Sequence, residues 1–354
     1  MNENVQVRKI EEGDFHSLVD DLNPWGFKTK GPAYPQWLHE SRPFHRVSWI
    51  ATFENTIIGY YGTLTVPLKV ENQIIYAYRG GPFVHPDHRK KRYNVLNLLT
   101  RAVFNEIKVR GGAAYIFPKP ELIKYFARRM KCVRLKPIPR YICVLRLAPI
   151  FERFLKNKRV AQALGFLCQG FWRMWLHKFK RLPKGLTIKE LHSFDERFDV
   201  LWEKASKAHK IISMRNAEYL NWRYTQEPGQ PYVIFAAERS GEILGYVILR
   251  PADPKRGRSA WIADLLDVQE PDVTKALLGQ AIEYFGAQGA DKIEFYVSDD
   301  YYEKRLRSIG FMKRPTRPRT SEVLVGKCES SKIKKEIFED PLNWFVTTAD
   351  LLFA

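Results

Sequence analysis

Two stretches of the chain carry the same succession of apolar and polar positions. Val5-Gln6-Val7-Arg8-Lys9-Ile10 alternates like a half-buried strand and leads into a helical pattern over residues 14–22. Leu186-Thr187-Ile188-Lys189-Glu190-Leu191 does the same ahead of a helical pattern over 196–206. Each is followed by two apolar runs around a short polar turn, which is the pattern of a hairpin. In the first half, residues 49–53 turn at Glu54-Asn55 into 57–64; in the second, 232–238 turn at Ser240-Gly241 into 243–249. A further strand and a long helix come next, over 81–86 and 93–110 in one half and over 263–268 and 272–287 in the other. Glycine closes both helices, at Gly111-Gly112 and Gly289, as it does where a chain leaves a helix. Strand patterns over 114–117 and 292–297 complete the correspondence. The repeat predicts two βα-rich modules of α/β class (α+β, on a mixed sheet), with a first module at 1–147, a connector at 148–184 and a second module at 185–354.

Within the connector, residues 151–182 have no counterpart in either half. They hold eight basic residues against the single acid Glu152. Trp172, Trp175, Leu176 and Phe179 recur at i, i+3, i+4 and i+7, the spacing of one helix face. Two readings fit: a helical connector whose stripe packs on the modules, or a helix that touches an anionic membrane surface peripherally.

Composition narrows the class. At 354 residues with 45% hydrophobic and 14% aromatic content, the chain can bury two cores and is not a disordered protein. Its 58 Lys+Arg against 39 Asp+Glu give a net charge of +19, which favours an anionic partner: a phosphorylated cofactor, RNA or a membrane surface. Cys132, Cys143, Cys168 and Cys328 are scattered, with neither disulfide-framework nor metal-ligand spacing, so no metal is expected. The first residues lack the apolar core of a signal peptide, and no apolar stretch reaches the roughly 18–20 residues of a spanning helix. A cytoplasmic protein, peripheral to the inner membrane face if the connector docks there, is the expectation.

The segment richest in chemistry is Arg79-Gly80-Gly81-Pro82-Phe83-Val84-His85-Pro86-Asp87-His88-Arg89-Lys90-Lys91-Arg92-Tyr93-Asn94. It reads as a strand, a tight basic loop and a helix start. Backbone N–H groups at such a start, at the positive end of the helix dipole, form a natural anion site. Here the chain resembles the GNAT acyltransferases, and in particular bacterial tandem-GNAT proteins. GNAT members hold acyl-coenzyme A on a loop written R/Q-x-x-G-x-G/A between strand and helix. The resemblance follows the element order of nearly the whole chain; its specific words lie within residues 80–99. It implies acetyl-CoA or another acyl-CoA as co-substrate, contacted by Phe83, Val84, Arg89, Lys90, Lys91, Arg92, Tyr93 and Asn94. The pattern is departed from where Arg92 and Asn94 replace the small residues, glycine first, that permit φ > 0 and close backbone approach. In the second half the matching loop, Val268-Gln269-Glu270-Pro271-Asp272-Val273, is acidic and lacks arginine and glycine, so that module is not expected to bind coenzyme A.

Acyl transfer needs a base for the nucleophile and an acid for the leaving thiolate. The resemblance places the acid on the helix after the fifth strand, at Tyr125, with Tyr115 a weaker candidate. His85 and Glu121 are the candidate bases. Arg223, in Asn221-Trp222-Arg223-Tyr224, is a candidate acceptor contact, because a buried guanidinium needs a partner; a plain pairing with a carboxylate fits equally. Asn343-Trp344-Phe345 and Asp350 resemble the second half of tandem-GNAT proteins. The expected activity is acyl transfer from coenzyme A to an amine or hydroxyl, of a small molecule or a glycan precursor. Two rivals fit the same chain: a Fem-like transferase using aminoacyl-tRNA, which the positive charge suits, and a non-catalytic pair that binds an anionic partner.

Overall fold

The structure, a computed structural model, describes residues 5–14, 17–18, 20, 37, 47–88, 92–155, 157–177, 182–229, 231–252, 258–314 and 323–351. Most of the predicted first helix and the loop residues Arg89, Lys90 and Lys91 lie outside these, as do Lys156, Lys178, Phe179, Lys180 and Arg181.

The first sheet is built on β1 (Gln6–Lys9), β2 (Ser48–Phe53), β3 (Thr56–Val70), β4 (Gln73–Val84) and β5 (Ala113–Ile116), side by side in that order. Antiparallel pairing runs from β1 to β4, and β5 joins β4 in parallel after α1 (Arg92–Val109). Then come α2 (Pro120–Arg129), β6 (Val133–Pro137), β7 (Arg140–Val144), α3 (Ala148–Phe154) and α4 (Lys158–His177). The second half repeats the plan with β8 (Leu186–Leu191), α5 (Arg197–Ala205), β9 (Ile211–Ser213), α6 (Ala217–Tyr224), β10 (Val233–Arg239), β11 (Glu242–Arg250) and β12 (Ser259–Asp267). It continues through α7 (Pro271–Ala287), β13 (Lys292–Tyr296), α8 (Asp300–Ser308) and β14 (Met312–Arg314). β15 (Val323–Cys328), α9 (Lys335–Glu339), β16 (Trp344–Phe345) and α10 (Thr348–Leu351) follow. The two hairpin turns are built alike, with φ of +48° and +63° at Glu54 and Asn55 and of +51° and +85° at Ser240 and Gly241. Paired positive φ angles give the turn whose twist suits a hairpin, which explains the polar and glycine residues there.

The sheets do not part at the expected module boundaries. Beyond β5 the next strand of the first sheet is β15, from the second half, with β6 outside it; beyond β13 the next strand of the second sheet is β7, from the first half, with β14 outside it. The exchange runs both ways but unequally, since β9 also pairs with β3 and β16 with β9, giving the first sheet three strands from the second half. β7 and β15 are apolar on both faces, Tyr141 to Val144 and Leu324 to Val325 being buried, as suits strands interior to a sheet.

α1 and α2 cover one face of the first sheet, where Val95, Leu99, Val103 and Phe126 pack on Ile58, Tyr78, Ala114 and Ile116. The opposite face, with Leu68, Ala77, Ala113 and Tyr115, packs on Trp344 and Val346 from the end of the chain. The connector helices pack tightly on each other, since a Cβ on Gly165 of α4 would lie 2.6 Å from Ala148 Cα. The predicted stripe through Trp172 is resolved in part: its indole Nε1 donates to Val144 O at 2.7 Å, so this residue is turned inward.

Candidate active site

The opening in the first sheet arises from a mismatch in strand length. β4 pairs with β5 only over Ala77–Arg79 against Ala113–Tyr115, yet stays paired with β3 as far as Val84. Beyond Arg79, no described strand lies along its other edge. His85 N donates to Ile58 O at 2.8 Å, so the odd-numbered positions direct their backbone to β3. Alternation then turns the carbonyls of Gly80 and Pro82 and the N–H of Val84 toward the side that β5 has left. Gly80 is obligatory where the opening starts, because a Cβ there would sit 2.0 Å from Gly62 O. Across the gap, Ile116 Cδ1 would lie 3.1 Å from a Cβ on Gly81.

At the open end of β4 the chain folds into the turn Pro86–His88. There Asp87 N donates to His85 Nδ1 at 3.2 Å, and the His85 and His88 rings meet edge to face at 5.7 Å. α1 begins at Arg92, so its free N–H groups and positive dipole end lie next along the chain. Arg92 is helical and Asn94 is an exposed residue of the first turn; neither has the positive φ that glycine would serve.

Tyr125, on α2, donates its phenol to Asn97 Oδ1 at 2.9 Å. Half-burial raises its pKa, so the phenol stays protonated in neutral solution. Asn97 belongs to the second turn of α1, which brings Tyr125 close to the helix start. Glu121 is exposed in the first turn of α2, one turn before Tyr125 on the same face. Tyr115 lies on the other face of the sheet, its hydroxyl 3.2 Å from Ser213 Oγ. Arg223 is fully buried on α6, ion-paired with Glu227, with its guanidinium 5.3 Å from the Tyr224 ring and 5.9 Å from that of Tyr232. Its charge is committed within the second half.

Beneath the opening lies a buried polar network that joins both sheets. Ser213 Oγ donates to Asp350 Oδ1 at 2.8 Å, and Arg215 reaches Asp350 Oδ2 at 3.0 Å and Asp264 Oδ2 at 2.9 Å. Tyr246 donates to Asp264 at 3.0 Å, and Arg79 Nη1 lies 3.8 Å from Asp350 and donates to Ala349 O at 2.9 Å. Burial alone would raise the Asp350 carboxyl, but Arg215 and Arg79 outweigh it and hold its pKa below the usual range. Two guanidinium groups thus balance two carboxylates. In the sequence Asp350 stands out only through the resemblance, and Arg79, Arg215, Asp264 and Ser213 carry no role there. Their signal is charge in an otherwise apolar strand: Arg79, alone in β4, and Asp264, which shares β12 with Asp267.

The second sheet has the same strand mismatch. β12 pairs with β13 only over Ser259–Trp261 against Lys292–Glu294 and then continues to Asp267. Here the gap is filled by the end of the chain. Tyr296 N donates to Thr348 Oγ1 at 3.0 Å, Ser298 N to Val346 O at 3.0 Å, and Thr347 Oγ1 to Asp264 Oδ1 at 2.7 Å. The loop before α7 is committed too, with Glu270 paired to Arg239 at 2.7 Å.

Two α/β modules, each with a strand splayed from its parallel neighbour ahead of a long helix, define the fold of the GCN5-related N-acetyltransferases, or GNAT fold. Solved structures of that fold match over 92% of the chain: a probable N-acyltransferase from Enterococcus faecalis V583 (TM-score 0.63, 12% identity, 73% of its own length) and a GCN5-related N-acetyltransferase from Anabaena variabilis (0.64, 10%, 73%). The Saccharomyces cerevisiae N-myristoyltransferase, with bound myristoylCoA, matches over the same share at TM-score 0.56 and 12% identity, across 82% of its length. At these identities the likeness speaks for the fold. No protein-family model and no curated protein sequence matches the chain. Among the described residues no group of three His, Cys, Asp or Glu side chains is placed to hold a metal.

Proposed function

We propose that this protein is an acyl-CoA-dependent acyltransferase with one cofactor site per chain, in the first half. The observation that carries the reading is the contrast between the two openings: among the described residues no strand lies along the edge of β4 beyond Arg79, whereas the matching gap in the second sheet is filled by residues 344–351. An extended chain carrying amides, such as the pantetheine arm of coenzyme A, matches the outward Gly80 and Pro82 carbonyls and the Val84 N–H. The N–H groups at the start of α1, with Arg89, Lys90, Lys91 and Arg92, suit its pyrophosphate. Phe83, Tyr93 and Asn94 border that path in this reading. The acyl end then emerges on the Tyr115 face, between the modules, where an amine or hydroxyl acceptor would approach. N-acetyl transfer to a small molecule or glycan precursor is the favoured form.

The acceptor nitrogen or oxygen attacks the thioester carbonyl carbon and gives up its proton to a base. No side chain is assigned as that base: His85 directly follows β4 at the pyrophosphate end of the opening, away from the acyl end beside Tyr115, and Glu121 is exposed. As the tetrahedral adduct collapses, its carbon–sulfur bond breaks and the sulfur takes a proton from the Tyr125 phenol. Burial keeps that phenol protonated, and Asn97 orients it. Arg223 holds the second module together in this account and does not touch the acceptor.

Native mass spectrometry of the intact chain with acetyl-CoA, with and without tRNA, tests the assignment. The expected species is a chain carrying one coenzyme A, unaffected by tRNA. A chain that ignores acetyl-CoA and binds tRNA would contradict the assignment in favour of the aminoacyl-tRNA reading.

A further inference from the structure

α4 has two faces of different fate. Ala161, Gly165, Gln169 and Trp172 form the inner one, where Gln169 reaches Leu147 N at 2.9 Å and Leu145 O at 2.7 Å. The outer face is apolar and uncovered: Phe166 is 82% exposed, Leu167 66% and Met174 62%, with Val160 and Leu164 beside them. Positions 160, 164, 167 and 174 recur at i, i+4, i+7 and i+14, so they form one continuous stripe along the helix. A stripe of that size left bare on a folded protein marks an interaction surface.

The charge beside the stripe says what it meets. α4 contains Lys158, Arg159 and Arg173 and no acid. Lys158 and Arg159 stand in its first turn, where the helix dipole disfavours cations, so helix stability does not account for them. Lys178, Lys180 and Arg181 follow directly in the chain. Exposed Lys158 and Arg159 at the start of a bare apolar stripe, in a helix with no acid, complement a surface that is anionic outside and apolar beneath. RNA offers the anionic part alone. No described helix is long and apolar enough to cross a membrane, so α4 would lie on such a surface, not through it.

We infer that α4 docks this protein on an anionic lipid bilayer, with Phe166, Leu167 and Met174 entering the headgroup region and Lys158 and Arg159 held at the phosphates. The inference is independent of the acyltransferase assignment, since it uses no residue of the cleft. It also replaces Trp172 with Phe166 and Leu167 as the inserting side chains.

The test is sedimentation of the full chain with vesicles of phosphatidylglycerol and phosphatidylcholine, against phosphatidylcholine alone, at low and high salt. Cys168 is the exposed cysteine of the four and accepts an environment-sensitive thiol probe. Binding is expected to the anionic vesicles, weakened by salt, with a blue shift of the probe. Phe166→Asp with Leu167→Asp should lower the apparent affinity by about tenfold or more without lowering Tm, since both residues are exposed. Changing Lys158 and Arg159 to Glu should lower it similarly. Failure to sediment at low salt, or sedimentation unchanged in the double variant, overturns the inference. So does light scattering that finds a dimer which Phe166→Asp dissociates, because the stripe would then be covered by a second copy.

Discussion

Among single residues, Tyr125 has the chemistry of a proton donor and the placement of one. If it protonates the departing sulfur, Tyr125→Phe lowers kcat by about 10²–10⁴-fold with little change in acyl-CoA affinity. An unchanged kcat, with only the loss of about 1 kcal/mol from the bond to Asn97, would return it to packing. Asp267 offers a separate test in the second half. Its carboxyl is fully buried, and burial pushes its pKa up to about 7, with Gln269 N donating to it at 2.7 Å. Between the ordinary carboxylate range near pH 4 and about pH 7 the folded state therefore keeps a proton that the unfolded chain loses. Stability must fall as pH rises through that window, by up to about 1.4 kcal/mol per pH unit, and level off above it. Asp267→Asn should remove that slope in denaturant melts run from pH 4 to pH 8; a slope that persists would place its source elsewhere.

Among elements, the splay of β4 from β5 depends on Gly80. Gly80→Ala drives a Cβ into the Gly62 carbonyl, and the expected cost is about 1–3 kcal/mol as the β3–β4 pair is forced apart. Thermal melts with acyl-CoA titrations on the same sample should show both lower Tm and weaker binding; wild-type values for both would mean the close approach is not needed. Much at this scale was legible from residue order. Glu54-Asn55 and Ser240-Gly241 mark the hairpins, and the glycines after α1 and α7, with φ of +62° at Gly111 and +69° at Gly289, mark their ends. The splay itself was not, because Gly80 to Val84 reads as ordinary strand and only the partner's length exposes its edge. Nor could periodicity say which apolar stripe of α4 faces inward. Trp172 and Phe166 lie on different faces, and the choice is made by Val144, which no local pattern announces. The basic loop from Arg89 to Arg92 reads in the sequence as an anion site, and its residues 89–91 lie outside the described ones. Arg92, where the resemblance has glycine, needs no left-handed backbone, because it is the first residue of α1 and helical.

At the scale of the molecule, the repeat shows two modules and the structure ties them together. β7 and β15 alternate no differently from strands of their own sheets, so the exchange lay beyond any reading of one half alone. Each module needs a strand from the other, and the Arg79, Arg215, Asp264 and Asp350 network spans the joint. Unfolding should therefore be a single cooperative transition, seen alike by far-ultraviolet and near-ultraviolet circular dichroism. A fragment of residues 1–147 would lack β15 and should fail to give a cooperative melt; two resolved transitions, or a stable fragment, would contradict the interlock. The same exchange accounts for the division of labour. Having delivered β15 to the first sheet, the chain returns to fill the second gap with residues 344–351, and among the described residues only the gap in the first sheet has no strand along it.

The central claim is that one opening, and its basic loop, receives the acyl donor. Calorimetric titration with acetyl-CoA measures this directly, using the intact chain, Arg89→Glu in the first loop and Gln269→Glu in the second. The account predicts one site per chain, weakened by about 1.5–3 kcal/mol in Arg89→Glu through loss of a charge-assisted phosphate contact, and unaltered in Gln269→Glu. Two equal sites, or a single site that survives Arg89→Glu and is lost in Gln269→Glu, would contradict it.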